Sequence, residues 1–154
     1  MARELTANAD RRRGSPTPPA SGEFDDELLE REVREFMSPG CVTISEHASV
    51  ADAAAALARH RVHAVLVVGG NHGTPLGWVT ARGLLDWVGR DRSLVPASQA
   101  ITEQVTAIDP SEPVRVALYA LSLAGTTHLL VRRRPHQLPE GVITDFDLAV
   151  KASR

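Results

Sequence analysis

The residues best suited to chemistry sit in "GVITDFDL", Gly141 to Leu148, where a strand-like run feeds directly into a helical pattern. Thr144 and Asp147 place a hydroxyl and a carboxylate three residues apart at that junction. An ionised Asp147 only accepts hydrogen bonds, so it suits the paired hydroxyls of a ribose better than a phosphate. Thr144 can donate to a ribose or phosphate oxygen, and the free N–H groups of a helix start form an anion site. The same spacing also describes a capping box, in which the pair satisfies the helix end and binds nothing. A second stretch, "GWVTARGL" from Gly77 to Leu84, repeats the Gly, the Thr and the Leu but has Gly83 in place of the acid. The architecture therefore does not demand a carboxylate there, which favours a ligand role for Asp147.

Other reactive side chains rank lower. Arg82 beside Gly83 is a candidate phosphate contact, and a solvated surface arginine is the competing reading. Arg132, Arg133 and Arg134 form a charge run that could grip a polyphosphate, although such runs are usually solvated. His60 and His63 are three apart without a third ligand at a recognisable spacing, so no metal site is expected. Cys41 lacks a histidine and an acid at a recognised spacing and is not expected to be a nucleophile.

These residues are positioned by an internal repeat. At an offset of 64, Ile44 meets Ile108, Val50 meets Val114, Ala53 meets Ala117, Leu57 meets Leu121, Leu66 meets Leu130 and Gly77 meets Gly141. Two copies of about 50 residues are each too small to stand alone and should share one globule. Each copy reads strand, helix, strand, strand, helix. "CVTIS" and "VTAID" are the first strands, and "SVADAAAALARH" and "EPVRVALYALSLAG" the first helices, with Ser49 and Asp52 at capping-box spacing. "HAVLVV" and "THLLV" are buried second strands, since short continuous apolar runs suit a covered sheet. "GWVT" and "GVIT" follow as third strands, and "ARGLLDWV" and "DFDLAV" as second helices. Tyr119 is expected in the core, and Leu85 and Trp87 in the core or on a helical dimer face. The fold class expected is α/β (α+β), two tandem β-α-β-β-α units with pseudo-two-fold symmetry over 37–92 and 98–154. Residues 1–22, rich in Arg, Pro, Ser and Gly, are expected to be a disordered tail. Phe24, Leu28, Leu29, Val33 and Phe36 recur at helical spacing, which predicts a linker helix over 23–36.

Composition narrows the function classes. A hydrophobic fraction of 43% with 23% charged residues marks a globular chain, and a net charge of -2 gives no reason to expect nucleic acid or a membrane surface as partner. One cysteine fits a reducing compartment, and no run is long and apolar enough to span a bilayer, so a cytoplasmic protein is expected. Basic residues are almost all arginine, with Lys151 the only lysine, the coding bias of a GC-rich bacterium.

"VREFMSPGCVTIS", "SVADAAAAL", "HAVLVV" and the closing Gly, two apolar residues, Thr, two variable residues, Asp and Leu together resemble the cystathionine-beta-synthase-type (CBS) domain, over roughly residues 35–152. CBS domains occur in pairs, the Bateman module, so the resemblance implies a regulatory unit that binds AMP, ADP, ATP or S-adenosylmethionine between the repeats. It places adenine at the first strand of the second repeat, Thr106, Ala107 and Ile108, beside Thr144 and Asp147, with His128 a candidate to line the cleft. Gly83 departs from the pattern. The loss of a charge-assisted hydrogen bond there, about 1.5 to 3 kcal/mol, implies a vacant or altered first cleft. Association into a homodimer, and an unidentified protein partner, are also implied. The competing function is an interaction protein with vestigial clefts; an enzyme is disfavoured, since neither a P-loop nor a nucleophile with a recognisable base is present. No cofactor is expected.

Overall fold

The computed structural model describes residues 26–135 and 137–152. The expected tail, and Glu23, Phe24 and Asp25 of the expected linker helix, lie outside them. Within them the repeat is visible element by element. In the first copy, β2 (Thr43–Ser45), α2 (Val50–His60), β3 (Ala64–Gly69) and β4 (Thr74–Thr80) follow one another; in the second, β5 (Ala107–Ile108), α3 (Val114–Ala124), β6 (His128–Val131) and β7 (Gly141–Thr144) do. Ser49 opens α2 with the expected capping box, its hydroxyl accepting from Asp52 N–H while the Asp52 carboxylate accepts from Ser49 N–H. Both first helices end on a left-handed residue at matching positions, Arg61 at φ 52° and Gly125 at φ 61°.

β3 and β6 are continuous apolar runs because each is covered on both faces. Val65 and Val67 pack under α2, and Leu129 and Val131 under α3, while Leu66 and Leu130 point the other way and meet Trp78 and Ala64 in a seam between the two repeats. This two-sided burial makes one globule out of two units that could not stand singly.

The second helices differ. α4 (Asp145–Lys151) is α-helical, but its counterpart over Gly83–Trp87 winds as a 3₁₀ helix with i→i+3 bonds such as Leu85 N–H to Arg82 C=O at 3.1 Å. Gly83 offers no carboxylate to close a capping box, and glycine is a poor helix former, so the tighter turn prevails. The leading helix is also shorter than expected. α1 (Asp26–Glu30) stops where Glu32 bridges Pro113, and a 3₁₀ turn over Val33–Glu35 follows. The helical spacing was real, but Val33 N–H and Arg34 N–H bond to Glu112 and Pro110 carbonyls instead of continuing the helix.

The arms that lead into each repeat cross over. β1 (Ser38–Pro39), at the start of the first repeat, pairs antiparallel with β7 and forms the outer strand of a four-stranded sheet ordered β1-β7-β6-β5. Val33 and Phe36 are buried in the core of the second repeat. Reciprocally, Ala97 and Ala100, the residues at the same offset, are buried in the first-repeat core, and Glu103 bridges Trp78 at the edge of the sheet ordered β2-β3-β4. Each arm crosses the repeated glycine of the other copy: a Cβ at Gly77 would strike Ile101, and one at Gly141 would strike the Ser38 carbonyl.

Candidate functional site

At the head of α4 the expected capping box is complete. Thr144 Oγ1 accepts from Asp147 N–H at 3.0 Å, and Asp147 Oδ2 accepts from Thr144 N–H at 3.1 Å and from its hydroxyl at 3.0 Å. The first N–H groups are already engaged, Asp145 N–H with Thr127 C=O and Phe146 N–H with the Asp145 carboxylate. The anion site expected at this junction is therefore not open, since no free donor is left among these groups and two carboxylates stand beside it. Asp147 is 6% exposed, and its second oxygen, Oδ1, accepts from Lys151 Nζ at 2.9 Å.

The first repeat keeps the same frame without the acid. Gly83 N–H donates to Thr80 Oγ1 at 3.0 Å, as Asp147 N–H does to Thr144. A Cβ at Gly83 would lie 2.8 Å from Thr102 Cγ2, so the crossing arm fills the space that a side chain would need. This is the physical reason for the missing carboxylate.

A polar cavity of about 290 Å³ opens where that arm passes the second repeat, lined by Thr102, Glu103, Gln104, Thr106, Ala124, Gly125 and Thr126. Of the residues expected at the site, only Thr106 lines it. Thr106 lies just ahead of β5, an edge strand; the Thr106 and Ile108 carbonyls bond to Leu130 and Arg132 N–H, and parallel pairing leaves the N–H and C=O of Ala107 pointing outward. The Ile108 side chain is buried in the second-repeat core and does not face a cleft. Thr102 joins this cavity to the first repeat, its hydroxyl 3.4 Å from that of Thr80, whereas Asp147 joins the N-terminal arm, because Lys151 Nζ also donates to Phe36 C=O at 3.0 Å. Thr106 lines this cavity, whereas Asp147 and Thr144 are not among its lining residues. Crossed arms give each helix head the arm of the other end of the chain.

His128 belongs to the seam. Its ring lies 5.4 Å from that of Trp78, and its Nδ1 is 2.7 Å from Thr127 Oγ1 and 3.3 Å from Glu103 Oε2. The Thr127 hydroxyl has one proton and sits 2.9 Å from Glu103 Oε1, which can only accept; it must then accept from His128, which assigns the proton to Nδ1. Glu103 also accepts from Thr127 N–H at 2.9 Å. Sequence reasoning missed Thr102, Glu103 and Gln104. The offset offered the signal, since it aligns Thr102 with Ser38, another residue just ahead of a first strand.

The remaining candidates are structural or exposed. Arg82 is exposed beside Gly83. Arg132 donates to Pro135 C=O at 2.7 Å and Arg133 pairs with Glu140 at 3.0 Å, so two of the three arginines brace their own loop. Among the described residues no group of three potential metal ligands gathers, and His60 and His63 belong to none. Burial pushes the Cys41 thiol up to about 11, so at neutral pH it is protonated and a poor nucleophile. Tyr119, expected in the core, is 67% exposed, and Leu85 is as well. The register of α3 turns Ala117 and Leu121 inward and Tyr119 outward. Trp87 packs partly buried against the first-repeat core. No helix among the described residues is long and apolar enough to cross a membrane.

Comparison with known proteins accords with this geometry. Residues 33–90 match the family model for the CBS domain. A CBS-domain protein from Pyrobaculum aerophilum, solved with AMP, superposes with a TM-score of 0.68 at 23% identity, covering 78% of this chain and 92% of that one. The CBS domain of a bacterial CNNM/CorC family Mg2+ transporter, solved with ATP, gives 0.69 at 23% identity over 82% and 90%. A CBS-domain-containing protein from Agrobacterium tumefaciens gives 0.68 at 22% identity over 87% and 100%. At these identities the likeness is one of fold. No curated protein matches the chain.

Proposed function

We propose that this chain, whose residues 33–90 match the CBS-domain model, works as a regulatory module without catalysis, taking an adenosine-containing ligand (AMP, ADP, ATP or S-adenosylmethionine) at the second repeat. Asp147 carries this reading. It is a carboxylate 6% exposed, held between helix head and arm at a position that the other repeat fills with glycine. The first repeat forms the same Thr-to-N–H frame with Gly83 in that place, so the frame itself does not require an acid. The ribose hydroxyls are the natural donors to Asp147 Oδ1, with Thr144 beside it. That proteins of this fold have been solved with AMP and with ATP supports the ligand class.

A second reading puts the ligand in the cavity over Thr106, and its polar lining and volume of about 290 Å³ favour it. There Ala107 would present its free backbone edge to adenine, and Arg82 is the candidate for a phosphate. Calorimetric titration with the four ligands separates the readings. Loss of binding in Asp147→Asn with binding kept in Gln104→Trp, which plugs the cavity rim, supports the first; the reverse result supports the second. If wild type binds none of the four at millimolar concentration, the sensor reading fails and an interaction protein with vestigial clefts takes its place.

We also infer a homodimer. Leu118, Tyr119 and Leu123 on α3, Phe146 on α4, and Leu85 and Val88 after β4 are large apolar side chains 44% to 74% exposed, more than an isolated chain usually leaves on its helices. Sedimentation equilibrium should give twice the chain mass, and Tyr119→Glu with Leu123→Glu should give one. A monomeric wild type at tens of micromolar would refute the dimer.

A further inference from the structure

We propose that Lys151 is a built-in competitor for the ligand at Asp147, and that displacing it releases the N-terminal arm; the proposal rests on the reading that the ligand's hydroxyls bind Asp147. Lys151 Nζ donates to two oxygens at once, Asp147 Oδ1 at 2.9 Å and Phe36 C=O at 3.0 Å. The first is the carboxylate oxygen that the capping box leaves over, since Oδ2 takes both donors of Thr144. The second belongs to the crossing arm, one residue before Met37, which packs over Gly141. One ammonium therefore ties together the end of α4, the carboxylate and the arm.

The consequence is a mutual exclusion. A ribose hydroxyl arriving at Oδ1 competes with Lys151 for the same acceptor. When the ammonium leaves, Phe36 C=O loses its donor and the arm loses a tie that its own backbone does not supply. Lys151 is 44% exposed, so water receives the displaced ammonium and the exchange stays reversible. Binding at the head of α4 is in this way read out at residues 33–39, which pack on the second repeat while leading into the first. The first repeat has no such device, because Gly83 offers no carboxylate.

A partly exposed pair of this kind contributes little, so the closed state should be favoured only about twofold to fourfold over the open one. That sets both expected effects. Lys151→Met should bind AMP about threefold to fivefold more tightly than wild type, because the binding-competent state no longer has to be reached. Lys151 is the only lysine, so its acetylation by an amine-reactive ester can be followed on one peptide, apart from the α-amine. Saturating AMP should raise that rate by about the same threefold to fivefold factor, and the Met37 amide, which donates to Val33 C=O, should exchange faster. If AMP binds wild type and Lys151→Met equally, or binds without changing the acetylation rate, the competitor role is refuted while the nucleotide reading stands. Weaker binding by Lys151→Met would make Lys151 a ligand contact and would likewise overturn the proposal. If AMP binds neither protein, both readings fall together.

Discussion

Gly141→Ala is expected to destabilise the protein by about 2 to 4 kcal/mol, enough to lower the melting temperature by roughly 5 to 15 °C. The new Cβ meets the Ser38 carbonyl oxygen and lies 2.9 Å from Met37 Sδ. A backbone oxygen cannot swing aside, so β1 must leave β7, taking with it the pairs Ser38 to Val142 and Pro39 to Gly141. The arm that loosens also buries Val33 and Phe36, so the damage reaches the second-repeat core. Gly77→Ala, the same change at the same place in the other copy, should cost about half as much. There the nearest obstacle is the Ile101 side chain, which can rotate, and the nearest backbone atom, Glu103 O, is 3.1 Å away. Urea melts of the two variants measure the difference. A Gly141→Ala protein within about 0.5 kcal/mol of wild type would show that the arm does not cross at this glycine.

Glu103→Ala should cost about 2 kcal/mol, more than most changes in a connecting segment. Its carboxylate accepts from Thr127 N–H, from the Thr127 hydroxyl and from His128 Nδ1, while its backbone carbonyl accepts from Trp78 N–H. One residue of the arm thus ties the first-repeat sheet to the second-repeat strand β6. Removing the side chain leaves His128, 11% exposed, with Thr127 as its only remaining partner in this network, and frees the Thr127 hydroxyl to rotate. Hydrogen exchange supplies the specific readout, since the Thr127 amide should lose protection beyond what the drop in global stability explains. Glu103→Gln keeps an acceptor oxygen and should recover about half of the loss. Equal destabilisation by both substitutions would mean that the charge, and not the hydrogen bonding, holds the seam.

These two substitutions mark the boundary of what could be read from the chain. The repeat at an offset of 64 was legible, and with it the element order, the two buried strands β3 and β6, and the capping boxes at Ser49 and Thr144, because each is set by local spacing. The frame of Gly and Thr was legible as scaffold, although its reason was not. The glycine is there for a crossing arm and the threonine for a helix head. Tyr119 shows a limit of periodicity, which gives the pattern of a helix face more readily than its rotation about the axis. The 3₁₀ turn after Thr80 was missed because its apolar residues keep helical spacing while Gly83 withholds the acid that would have closed the first turn.

The sequence by itself determined two copies of one unit, the class of fold, and a single carboxylate at one of two equivalent helix heads. Tertiary structure alone decided which arm meets which head. Val33 and Ala97, or Phe36 and Ala100, would bury the same side chains whether each arm folded back on its own repeat or crossed to the other, so the one-dimensional pattern is identical for both. Crossing places Thr102 against Gly83 and brings Phe36 within reach of Lys151, a contact between residues 115 apart in the chain that no local spacing encodes.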